Sequence, residues 1–105
     1  MASGKLGSAA LAANTNSTVY TVPASTVATL NVAIVNRGDA AAVVNISIGT
    51  TTTPGNADYV EFGVSVPAKG VLERTALVAG AGERVIVRSS TPDCSVRVHG
   101  FEEGV

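Results

Sequence analysis

The chain has 105 residues, of which 46% are hydrophobic, 14% charged and 4% aromatic, with seven basic and eight acidic side chains for a formal net charge of −1. That length makes one domain, that apolar content excludes a disordered chain, and the lack of a basic cluster with interleaved aromatics excludes the usual footprint of a nucleic-acid binder. A charged fraction well under the roughly 25% of an average soluble domain suits a subunit packed among others, because charge is what keeps a free monomer in solution.

Taken in chain order, residues 1–16 read as an N-terminal arm ahead of a domain at 17–105. The apolar stretch before Ala13 is short, mostly alanine, and interrupted by Gly7 and Ser8, which is too little for a secretory signal. Ala9 to Ala13 is the one place where a helical turn is expected. A period-2 pattern then takes over. Leu30, Val32 and Ile34 share one face of a strand, and Val44, Ile46 and Ile48 do the same with Asn45 and Ser47 pointing away. Val60, Phe62, Val64 and Val66 are expected inward, alternating with Glu61, Gly63 and Ser65. Val85 and Val87 pair off, and so do Cys94, Val96 and Val98, which leaves Ser95, Arg97, His99 and Phe101 as an outward stripe. One buried and one solvated face is the signature of antiparallel sheets.

Pro23, Pro54, Pro67 and Pro92 fall between these runs, where a missing N–H does no harm. Asn36-Arg37-Gly38-Asp39 reads as a hairpin turn, and Ala68-Lys69-Gly70 and Ala79-Gly80-Ala81-Gly82 as further turns. The expected fold is all-β: an antiparallel β-sandwich or small barrel of about seven to eight short strands. No apolar run approaches the roughly 20 residues of a membrane span.

Catalytic chemistry has little to work with. His99 is the sole histidine, and Cys94 stands five residues away on the same strand, an odd separation that sends the two side chains to opposite faces. A single cysteine excludes a disulfide within the chain, and one His with one Cys makes no zinc cage. Asn56, Asp58 and Glu61 offer oxygen ligands without the acid-rich spacing of a calcium loop. Gly80-Ala81-Gly82-Glu83 lacks the spacing and following helix of a phosphate loop. Arg37-Gly38-Asp39 spells an integrin-ligand tripeptide, but a turn selects Gly and Asp for its own backbone reasons. No enzyme, cofactor or metal is expected.

Several stretches resemble a family of small virion proteins of tailed bacteriophages, head decoration proteins among them. They are Gly4-Lys5-Leu6-Gly7-Ser8, Thr18-Val19-Tyr20-Thr21-Val22-Pro23-Ala24, Val35-Asn36-Arg37-Gly38, Tyr59-Val60-Glu61-Phe62, Gly70-Val71-Leu72-Glu73-Arg74-Thr75 and His99-Gly100-Phe101-Glu102-Glu103, in this order along nearly the whole chain. The resemblance implies a β-sandwich subunit made in the bacterial cytoplasm and carried on the virion. There it would be a cement protein, binding the outer surface of the major capsid protein lattice as a homo-oligomer, by analogy a trimer. The alternative is a tail, baseplate or fibre module concerned with host attachment. Candidate contact residues are Lys5, Leu6 and Leu11 in the arm, Arg97, His99, Phe101, Glu102 and Glu103 at the C-terminus, and the opposite charges Glu73 and Arg74. No nucleic acid or membrane partner is expected.

Overall fold

A computed structural model describes residues 1–105 as eight strands and no helix. They are β1 (Ser3–Ala10), β2 (Ser17–Thr21), β3 (Thr26–Asn36), β4 (Ala42–Gly49), β5 (Tyr59–Val66), β6 (Val71–Ala79), β7 (Arg84–Ser89) and β8 (Cys94–Gly104). Two four-stranded antiparallel sheets, ordered β1-β8-β3-β6 and β2-β7-β4-β5, face each other as a sandwich. This is the strand order of a jelly roll, in which two Greek keys are wound together.

β3 shows why these residues make a sandwich. Burial alternates without a break from Thr26 to Ile34, so Ala28, Leu30, Val32 and Ile34 enter the core while the residues between them face out. The opposing sheet answers with Val44, Ile46, Val85 and Val87, and β8 adds Cys94, Val96 and Val98. Burying each such branched side chain is worth about 1.5–3 kcal/mol. The core is thin, because most of its members are valine or alanine.

Of the chain-consecutive strand pairs, β4 and β5 alone are hydrogen-bonded to each other; every other connection crosses between sheets. Asn36 to Asp39 is therefore not a hairpin turn. It carries the chain from β3 in one sheet to β4 in the other. Buried Asn36 organises this crossing: its Nδ2 donates to the carbonyls of Ala40 (2.8 Å) and Val66 (3.1 Å), and its Oδ1 accepts from the Gly38 N–H (3.0 Å).

The segment 1–16 carries β1, which pairs with β8 from Ser3–Phe101 to Ala10–Ser95. The helical turn expected over Ala9 to Ala13 does not form, since Ala9 and Ala10 finish β1 and Leu11 is 2% exposed within the core. The backbone after it is tied down by Leu11 N–H to Cys94 O (2.9 Å) and Asn14 N–H to Ser89 O (2.7 Å).

β5 departs from the expected alternation. Val44 pairs with Val64 but Ile46 pairs with Glu61, so one residue is bulged out near Gly63, whose φ of 68° suits the distortion. The bulge inverts the phase over Glu61 and Phe62 only, because a second register shift between Ile46 and Ser47 leaves Val60 packed against the core as expected. Phe62, expected in the core, is 69% exposed, and Glu61 turns towards the flank of the sandwich. A second bulge lies in β6, where Ala76 has φ 58° and its N–H is held by Asn31 Oδ1 at 3.0 Å.

The two open flanks are closed differently. Between β5 and β6, Arg74 Nη1 reaches across the sheets to Glu61 Oε1 (2.9 Å) and the Val60 carbonyl (2.8 Å). Between β1 and β2, Gly7 lets the backbones approach so closely that a Cβ there would stand 2.2 Å from Val19 O.

Candidate interaction face

The outer surface of the β1-β8-β3-β6 sheet gathers most of the chemistry that the sequence singled out. Its register places side chains in rows across the sheet, with neighbouring strands about 4.8 Å apart. One row runs Ala10, Ser95, Val35, Val71; the next Ser8, Arg97, Ala33, Glu73. Further along, Lys5, His99 and Asn31 form a third row, and Ser3, Phe101, Thr29 and Val78 a fourth. Arg97, His99 and Phe101 do share the outward face of β8, because the strand runs without interruption to Gly104. Glu103 follows them on that face, and Lys5 joins from β1 as the cross-strand neighbour of His99.

Strand order adds residues that sequence reasoning missed. Val71, Val78 and Val35 are 58%, 65% and 36% exposed, and with Phe101 at 46% they make this face apolar for a solvent-facing sheet. Val35 and Val71 flank a shallow depression of about 440 Å³ whose floor is small side chains, chiefly Ala10, Ala33 and Ser95, with Ser8 and Arg97 at its rim. Outward alternation of Val71 and Glu73 was available as a signal in β6, but the bulge at Ala76 hides the continuation to Val78.

Arg97 and Glu73 stand in one row with Ala33 between them, and neither has an ion-pair partner within the chain, whose salt bridges are Lys69–Asp39 and Arg74–Glu61. His99 is half-buried, and its Nδ1 is enclosed with no hydrogen-bond partner.

Four of the candidate residues lie elsewhere. Leu11 is in the core and Leu6 packs against it from β1. Arg74 is committed to the flank with Glu61. Glu102 points inward, where its Oε2 accepts from the Tyr20 hydroxyl (2.6 Å) and its Oε1 from the Ala2 N–H (3.1 Å). Those donors, the Tyr20 hydroxyl foremost, hold the Glu102 carboxyl below its ordinary pKa. Burial, reinforced by the hydrogen bond to the carboxylate and by its charge, pushes the Tyr20 phenol well above its own.

The opposite outer face is largely closed at its centre, with Ile86 and Ser47 at 2% and 1% exposure. What it presents lies on β4 and β5: Val43, 47% exposed, and Phe62, which meets Tyr59 edge-to-face with ring centroids 4.8 Å apart. No three His, Cys, Asp or Glu side chains converge as a metal site would require.

The chain matches no family model, no curated protein and no solved structure. Neither the jelly-roll strand order nor the sandwich architecture assigns an activity, because such folds serve many functions.

Proposed function

We propose that this protein is a decoration subunit of a bacteriophage head, bound to the outside of the major capsid protein lattice and stabilising it. One observation carries the reading: large apolar side chains stand exposed on both outer faces of the sandwich, Val35, Val71, Val78 and Phe101 on one and Val43 and Phe62 on the other. A domain with so few charges and apolar groups on two sides is suited to being covered on both. A protein that binds only the assembled shell stabilises it by its binding free energy, and repetition over a lattice lets modest contacts suffice. The resemblance of its motifs to small phage virion proteins points the same way. The test is the copy number per purified particle with heads and tails separated. Many copies in the head fraction support the proposal; a handful in the tail fraction refutes it.

The edge-to-face pair of Tyr59 and Phe62 favours a second reading, a tail or fibre module touching host polysaccharide. The pair stands beside the polar loop between β4 and β5, and an exposed Phe62 ring backed by half-buried Tyr59, next to hydroxyl and amide groups, suits a sugar face. Retention of the isolated protein on host cells, lost in Phe62→Ala, would establish that reading.

A further inference from the structure

We infer that the outer face of the β1-β8-β3-β6 sheet is a self-association surface, covered by the same face of a second copy related by a two-fold axis parallel to β3. An isologous contact requires a surface that is complementary to itself. Rotation about an axis along β3 leaves each row of the sheet at its own level and exchanges the two sides, so that β8 of one copy faces β6 of the other. The rows then match. Arg97 faces the partner's Glu73 and Glu73 faces the partner's Arg97, which gives both charges the opposite charge that the single chain denies them. Phe101 faces the partner's Val78, apolar against apolar. At the other end, Val71, 58% exposed, lies over the partner's Ser95, above the depression floored by Ala10, Ala33 and Ser95.

The axis itself passes over Thr29, Asn31, Ala33 and Val35, so β3 meets its own copy through residues that carry no charge. No like charges are brought together in any of the four rows. Sheets stacked this way keep their strands within about 30° of one another, with a spacing near 10 Å set by interleaved side chains. β8, β3 and β6 face their counterparts, while β1 overhangs the edge of the partner's sheet. Three strands span about 14 Å, and Val27 to Val35 about 27 Å, so the two copies together cover roughly 800 Å², the size of a weak, reversible association.

This two-fold pairing differs from the trimer that the family resemblance implies, and it leaves β4 and β5 free to meet another partner. It does not depend on where the protein is carried.

The experiment is sedimentation of the full chain across a dilution series, with Arg97→Glu, Glu73→Arg and the double variant carrying both changes, each checked for native circular dichroism. The chain is expected at twice its 10.5 kDa mass. Each single variant sets like charges against each other twice in the interface, and the dimer should weaken by roughly tenfold or more. The double variant reverses the pair and should restore wild-type dimerisation. A chain that stays monomeric up to about 1 mM, one that forms a trimer, or single variants that dimerise as well as wild type would each overturn the inference. If instead the protein dimerised as described but was missing from phage heads, the decoration proposal would fall and this one would stand.

Discussion

Replacing Asn36 by alanine tests the claim that one buried amide holds the crossing between the sheets. The side chain is fully buried, and its three short hydrogen bonds tie together the Ala40 carbonyl, the Val66 carbonyl at the end of β5 and the Gly38 N–H. A typical intramolecular hydrogen bond contributes about 1 kcal/mol net, and a buried group left without a partner costs about 1–3 kcal/mol. Ala40 and Gly38 lie near solvent and recover part of the loss from water, whereas the Val66 carbonyl belongs to a buried residue. The expected cost of Asn36→Ala is therefore about 3 kcal/mol, a large part of the roughly 5–15 kcal/mol that holds a domain of this size. With an unfolding entropy near 2.1 cal/mol/K per residue, the 105 residues convert that into a fall in Tm of roughly 14 °C. Thermal and urea unfolding followed by circular dichroism would measure it. Asn36→Asp sharpens the test, since an ionised carboxylate can still accept from Gly38 but faces the Ala40 and Val66 carbonyls with no proton to give. That variant should lose more than the alanine at neutral pH and recover in acid as the carboxyl regains a proton. A loss under about 1 kcal/mol in Asn36→Ala, or an Asn36→Asp profile flat with pH, would refute the reasoning.

Gly7→Ala should lower stability by about 1–3 kcal/mol, because the new methyl group would fall 2.2 Å from Val19 O and force β1 and β2 apart; the urea midpoint measures this. Ala76→Gly should raise stability by about 0.5–1 kcal/mol, as glycine removes the left-handed strain at φ 58° and gives back part of the gain in unfolded-chain entropy. The Tyr20–Glu102 pair predicts stability that falls off at both ends of the pH scale. The Glu102 carboxyl lies below its ordinary pKa, so its contribution is present above that ordinary value and is lost as pH falls through the depressed one. The Tyr20 phenol lies above its ordinary value near 10, so its contribution is full below that pH and is lost as the solution becomes more alkaline. Tyr20→Phe should flatten both limbs of a plot of urea midpoint against pH, and an unchanged plot would show that the pair does not couple folding to protons.

Much of the fold was legible in the chain where a strand has a clean division of labour. β3 and β8 lie inside their sheet, each with neighbours on both sides, and their inward residues are large and apolar. Leu30, Val32 and Ile34, or Val96 and Val98, therefore announce themselves by alternation alone. The outward stripe of Arg97, His99 and Phe101 follows from the same parity and needs no tertiary information. β1, β2 and β6 are edge strands, and the small or polar residues that populate β1 and β2 give alternation little contrast. In β5 the alternation looks perfect and misleads, because the bulge near Gly63 moves Phe62 to the surface without leaving a mark that apolar periodicity can register.

Composition and period thus determined by themselves that this chain would be all-β and sandwich-like, which residues of β3, β4, β7 and β8 would fill it, and which side of β8 would be left outside. Those properties depend on a residue and its near neighbours along one strand. Which strands pair was decided only in three dimensions. A turn such as Asn36 to Asp39 has the same local chemistry whether it closes a hairpin or crosses to the other sheet, and the choice rests on where the two hydrophobic faces can meet. Strand order then sets Glu73 of β6 in one row with Ala33 and Arg97, and opens the depression beside Val35 and Val71. The stripe belongs to the sequence; the face belongs to the fold, because a surface built from four strands exists only once long-range pairing has brought them side by side.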